Sequence, residues 1–103
     1  MKIIKRNGSE VVFDISKIIA AITKANNADE QTRELTPEQI QLIAGQVERE
    51  CEKVNRALSV EEIQDLVENG IMAQGAFEVA KRYIKYRYTR ALVRQSNTTD
   101  NQI

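Results

Sequence analysis

The constraint that bears hardest on this chain lies in its opening segment. Two short β-branched runs, Ile3-Ile4 and Val11-Val12, flank Asn7-Gly8, and Asp14 then precedes Ile15-Ser16-Lys17-Ile18. Asn-Gly between apolar strands is the strongest local hairpin signal, because a two-residue type I′ turn needs positive φ at both central positions. An Asp at an N-cap accepts hydrogen bonds from the free N–H groups of a first helical turn. The segment therefore predicts a strand, a tight turn, a second strand and a capped helix. A lone hairpin is marginal in water, so Ile3, Val11 and Phe13 are expected to lie against helices.

The same segment concentrates positive charge. Lys5 and Arg6 end the first strand, and Lys17 falls in the first turn of the helix. Neighbouring strand residues leave opposite faces, so one cation faces the helical layer and the other faces outward. These positions suit a phosphate cradle beside a helix N-terminus. They suit equally two solvated edge charges that discourage strand pairing. A cation in a first helical turn opposes the helix dipole unless an anion shares the place.

Three further helices follow from capping signals and apolar spacing. Asn26 to Asp29 ends the first helix, whose apolar face is Ile15, Ile18, Ile19 and Ile22. Thr36-Pro37-Glu38-Gln39 is a capping box with Pro at N1, opening a helix with Ile40, Ile43, Ala44, Val47 and Cys51 on one side. Ser59-Val60-Glu61-Glu62 opens another, with Ile63, Leu66, Val67 and Ile71 apolar. The last helix is expected from about Ala76 to Arg94, burying Phe77, Ala80, Ile84 and Tyr88. Residues 95–103 are polar and aperiodic and read as a linker. The sum is an α+β fold, one hairpin packed on a cluster of about four helices.

Composition narrows the chemistry. The chain has no histidine, which removes the commonest general base and metal ligand, and its one cysteine excludes an internal disulfide or multi-cysteine site. Cys51 falls on an apolar stripe and reads as a core thiol. Fifteen basic and fifteen acidic residues leave no bulk field to attract nucleic acid or an anionic membrane. Gly70 and Gly75 have the spacing of a phosphate loop, but Ala76-Phe77 follows where Lys and Ser/Thr are required. They read as a helix end and a loop. No leader or membrane-spanning run is evident, so a cytoplasmic chain without catalysis of its own is expected.

The last helix carries Lys81, Arg82, Lys85, Arg87, Arg90 and Arg94 among Tyr83, Tyr86 and Tyr88. Such interleaving can bind single strands by charge and stacking, or it can be a basic helix end that complements its own dipole. The residues alone leave both open.

Ile4-Lys5-Arg6-Asn7-Gly8-Ser9, then Val12-Phe13-Asp14 and Lys17-Ile18, resemble the opening of the ATP-cone, a regulatory nucleotide-binding domain of ribonucleotide reductases. The likeness continues through Ser59 to Glu68 and the helix from Glu78 to Arg87. It implies ATP or dATP as an allosteric effector, with Mg²⁺ accompanying the phosphates. By the same resemblance Lys5, Arg6 and Lys17, with Arg87 or Arg90, bind phosphate. Val60 and Gln64 face the adenine, and Asp14 lies near the site as a contact or a cap. Residues 1–94 form the cone, and residues 95–103 lead towards a catalytic barrel. The segment from Tyr86 to Asp100 looks most like the exit from the cone of an anaerobic, glycyl-radical ribonucleoside-triphosphate reductase. The family further implies self-association through the cone's helical surfaces. A cone of a transcription repressor would need a zinc ribbon with four cysteines, and a plain interaction module would use the basic helix.

Overall fold

The computed structural model describes residues 2–5 and 7–101, with side chains described through residue 92. The elements run β1 (Lys2–Ile4), β2 (Glu10–Val12), α1 (Ile15–Asn27), a 3₁₀ turn (Glu30–Thr32), α2 (Pro37–Lys53), β3 (Leu58–Ser59), α3 (Val60–Ala73) and α4 (Phe77–Asn101). The α+β architecture is the expected one, with one addition: the hairpin gains a third strand. The sheet order is β2-β1-β3, and β3 lies parallel to β1 with Ile3 beside Leu58 and Ile4 beside Ser59. Two residues before a helix are too few for a strand pattern to be visible in sequence.

The hairpin turn is longer than a type I′ turn. Among the described turn residues Gly8 takes positive φ, at +86°, and Asn7 does not. Lys5 N–H donates to Ser9 O at 2.8 Å and Gly8 N–H to Lys5 O at 2.9 Å. The loop is thus closed by Lys5 and Ser9, with glycine in the left-handed position of a bulged hairpin. Asn7 uses its side chain instead, accepting from Ser9 N–H at 3.0 Å and the Ser9 hydroxyl at 2.6 Å.

The helices close a ring in which α1 packs on α2 and α4, and α3 packs on α2 and α4. Each contributes to one core: Ile22 from α1, Ile43 and Cys51 from α2, Val67 and Ile71 from α3, and Val79 from α4, all essentially inaccessible. Ile3 and Phe13 of the hairpin region pack against this core from outside. The caps fall as expected. Asp14 accepts from Ser16 N–H, and both Thr36–Gln39 and Ser59–Glu62 form reciprocal capping boxes.

Two expectations about the C-terminal half are corrected. Gly70 lies inside α3, not at its end, because α2 crosses there too closely for a side chain. A Cβ on Gly70 would meet Ile43 Cγ2 at 2.9 Å. The helix end belongs to Gly75, at φ +78°, where Gly75 N–H bonds Met72 O and Ala76 N–H bonds Ile71 O in a Schellman closure. Among the described residues of α4, Val79, Ala80 and Tyr83 are buried, with Ala76 just before the helix, while Phe77, Ile84 and Tyr88 are 60%, 41% and 67% exposed. Small residues at 76, 79 and 80 allow closer helix approach than the bulkier stripe would. The α4 backbone also stays helical through Asn101, past the expected linker boundary, since no Gly or Pro interrupts it.

Two polar ties fix the start of α4. Glu34, in the connection between α1 and α2, accepts from Glu78 N–H (2.8 Å) and Val79 N–H (3.1 Å). It thereby caps α4 from outside the helix. Arg82 donates to Ala25 O (2.6 Å), Asn26 O (3.4 Å) and Thr32 O (2.8 Å), and to the Thr32 hydroxyl. Asn26 in turn is buried and exchanges bonds with Leu35, donating to its O at 2.8 Å and accepting from its N–H at 3.1 Å.

The two helical glycines should respond oppositely to alanine. Gly70→Ala forces Ile43 aside and is expected to destabilise by about 1–3 kcal/mol. Gly45→Ala, whose Cβ would meet only Arg49 Nη1 at 3.6 Å, should stabilise α2 by roughly 0.5–1 kcal/mol. Urea unfolding of both variants beside the parent measures the pair.

Candidate functional site

The parallel pairing of β1 with β3 builds the candidate site. Because Ile4 lies beside Ser59, the residues that follow, Lys5 and Val60, are brought to the same end of the sheet. Strand alternation puts Lys5 on the face of Ile3, which packs against the helices. Val60 opens α3, and Gln64 follows one turn later on the same face; both are half-buried. The hairpin turn and the first turn of α3 therefore meet at one edge.

Asp14 and Lys17 stand at the other end of the hairpin ladder, since β2 runs back from Glu10 beside Ile4 to Val12 beside Lys2. That ladder is only about 10 Å long. Asp14 is engaged as the α1 cap: the Ser16 hydroxyl donates to its Oδ1 at 2.6 Å and holds its carboxyl below the usual range, with the Ser16 N–H and nearby Lys17 adding to the effect. Lys17 and Lys5 are exposed. Arg6 lies outside the described residues, as does the side chain of Arg94.

The two late-helix arginines differ. Arg87 turns towards α3, donating from Nη1 to Asp65 Oδ1 (2.7 Å) and Glu68 Oε1 (3.1 Å), and from Nη2 to Glu61 O (3.3 Å). Arg90 is exposed one turn further on. With Arg82 tied to α1 and Arg87 to α3, the dense basic group of α4 resolves into structural ties and a thinner outer set. Its tyrosines divide too: Tyr83 is buried against Tyr86, ring centroids 6.0 Å apart, and Tyr88 is exposed. Burial raises the Tyr83 hydroxyl well above its usual range, so it stays neutral.

The first turn of α3 carries its own ion pair. Arg56 grips Glu62 with Nη2–Oε2 at 2.7 Å and Nη1–Oε1 at 3.2 Å, and Ser59 N–H donates to the same carboxylate at 3.3 Å. Sequence spacing showed the cap but not the arginine, which lies in the irregular segment before β3. Cys51 is buried nearby, its thiol pushed up by burial and then by Glu50 and Glu48. No group of three or more His, Cys, Asp or Glu fit to hold a metal occurs among the described residues, and no described helix is long and apolar enough to cross a membrane. Two surface recesses, of about 300 Å³ between α1 and α2 and about 390 Å³ around Cys51 and Arg56, hold none of the expected site residues.

The sequence profile of the ATP cone domain matches residues 1–92. The chain belongs to the ATP-cone family, generally allosteric, nucleotide-sensing domains found in ribonucleotide reductases. It is 36% identical, over 97% of its length, to the ribonucleoside-diphosphate reductase subunit alpha of Chlamydia trachomatis. It is 35% identical, over 93%, to the anaerobic ribonucleoside-triphosphate reductase of Haemophilus influenzae. It is 34% identical, over 90%, to a vitamin B12-dependent ribonucleoside-diphosphate reductase of Mycobacterium tuberculosis. The chain spans 10% of the first of these proteins and 13% of each of the other two.

Acid stability should report the Arg56–Glu62 pair. Arg56, followed by the Ser59 N–H, holds the Glu62 carboxyl at about 2, below the ordinary 4.5. A folded value below the unfolded one gives stability that is full above pH 4.5 and is lost as pH falls towards 2. Glu62→Gln keeps a capping side chain, as Gln39 does in α2, but removes the charge. Its melting temperature is expected to fall less steeply than the parent's between pH 4.5 and 2, and 0.5 M salt should narrow the difference.

Proposed function

We propose that this chain is the effector-binding unit of a ribonucleotide reductase, with ATP and dATP competing for the edge where the hairpin meets α3. Residues 1–94 form the sensing unit, and residues 95–103 lead towards a catalytic body that carries the chemistry. The observation that supports this reading most is the β1·β3 register, which brings a lysine and the first turn of an amphipathic helix together at one sheet edge. In this reading Lys5, Arg6 and Lys17 bind the phosphates, with Arg90 as the basic residue from α4. The short ladder between Lys5 and Lys17 is a distance that a nucleoside triphosphate spans. Val60 packs on the adenine, and Gln64 serves its amino group and ring nitrogens, since an amide both donates and accepts. Asp14 keeps its cap and shapes the site through α1. Mg²⁺ travels with the triphosphate, held by phosphate oxygens and water.

The parent in this reading is an anaerobic ribonucleoside-triphosphate reductase, on the likeness of the segment from Tyr86 to Asp100 to the exit of such cones. The two nucleotides differ by one hydroxyl, so phosphate contacts hold both alike and only a difference between bound states can switch an enzyme. That difference is read as self-association through α4. Phe77, Ile84, Tyr88 and Leu92 form an exposed apolar row along it, at spacings of seven, four and four. The reading is of a soluble cytoplasmic regulator.

Isothermal titration of the chain with ATP and with dATP in Mg²⁺ tests the reading. Saturable binding is expected, weakened at least tenfold by Lys5→Ala with Arg6→Ala, given about 1.5–3 kcal/mol for each charge-assisted contact. Absence of binding by the folded chain, or binding indifferent to the double variant, overturns it. Light scattering should show a nucleotide-dependent change in mass that Ile84→Glu abolishes.

A further inference from the structure

We infer that Arg87 is a positioning residue for base recognition, holding the first turn of α3 at a fixed rotation, and is not a phosphate ligand. The inference rests on the nucleotide reading above and deepens it by naming what sets preference for adenine.

The argument starts from where the guanidinium goes. Its three bonds reach Glu61 O, Asp65 and Glu68, positions separated by four and three residues, hence one strip along α3. Val60 and Gln64 each lie one residue before a point of that strip, on the adjacent strip of the same helix. A helix has two easy motions against a neighbour, rotation about its axis and sliding along it. Contacts at three heights from a planar, rigid fork on α4 oppose both. Any rotation of α3 that breaks them swings Val60 and Gln64 by the same angle.

The chemistry of the group argues against phosphate. Arg87 is 20% exposed and Glu68 22%, so the pair is largely withdrawn from water. Two carboxylates already offset one guanidinium that cannot lose its proton. Asp65 is 65% exposed and could give way to water, but a phosphate that displaced Glu68 would leave that carboxylate unpaired in a half-buried place. Tyr83, one turn before Arg87 on α4, is buried. Removing Arg87 leaves Asp65 and Glu68 three residues apart with like charge, which loosens the turn that carries Gln64.

The test compares ATP with GTP, because the two share phosphates and ribose and differ in the base. Calorimetric affinities are measured for the parent chain, Arg87→Ala, Arg87→Lys and the Asp65→Asn, Glu68→Gln double variant, each checked for helicity. The parent is expected to prefer ATP. Arg87→Ala should cut that preference on the order of tenfold while GTP affinity stays within about twofold. Arg87→Lys should restore part of it, and the double variant should lose it as Arg87→Ala does. Equal weakening of ATP and GTP by Arg87→Ala, together with tightening of both in the double variant, would identify a phosphate ligand and overturn the inference. An unchanged ATP:GTP ratio in Arg87→Ala also overturns it. Should Arg87→Ala fail to fold, the double variant carries the same comparison. A parent chain that binds neither nucleotide removes the nucleotide reading itself, a result distinct from a ratio that fails to move among binding variants.

Discussion

Everything near the candidate site depends on two residue pairs in parallel register, Ile3 beside Leu58 and Ile4 beside Ser59. A parallel pairing needs a long crossover, and here α1 and α2 supply it. The pairing is short, but it does something that an isolated hairpin cannot. It sets the height at which α3 begins relative to the hairpin turn, because Ser59 is both the last strand residue and the N-cap of α3. The cap, the strand and the site edge therefore share one residue, and the Arg56–Glu62 pair clamps that residue from outside.

Charge in this domain is divided by direction more than by amount. The sequence is neutral overall, and α4 looks strongly basic when read as a string. In three dimensions Arg82 and Arg87 turn to opposite neighbours, one to the carbonyls ending α1 and the other to the carboxylates of α3. Each satisfies acceptors that would otherwise face a half-buried boundary. Among the described residues the exposed side of α4 carries Lys81, Lys85 and Arg90 beside an apolar row.

Much of this fold was legible in the sequence because its signals are local. Asp14, Thr36 with Gln39, and Ser59 with Glu62 mark helix starts through bonds that span at most three residues. The apolar stripe of α2 from Ile40 to Cys51 is buried as its spacing predicts. What was not legible depends on partners far along the chain. Gly70 is inside a helix because Ile43 sits against it, and α4 buries Val79 and Tyr83 because α1 and α3 set its rotation. The third strand exists only because β1 offers an edge. For the candidate site, Lys5, Val60 and Gln64 are named by likeness alone, whereas the ties of Arg87 to α3 and the grip of Arg56 on Glu62 follow from tertiary geometry.

The capping of α4 by Glu34 has a bearing on how the domain comes to be folded. The donors at Glu78 and Val79 wait on an acceptor 44 and 45 residues earlier in the chain. An isolated α4 thus begins with a frayed first turn, since helix nucleation is unfavourable without such help. During synthesis the order is favourable, for the acceptor emerges first and the loop that must close grows only slowly more costly with length. The last helix is then the element that locks, docking onto a template already made by α1 and its connection.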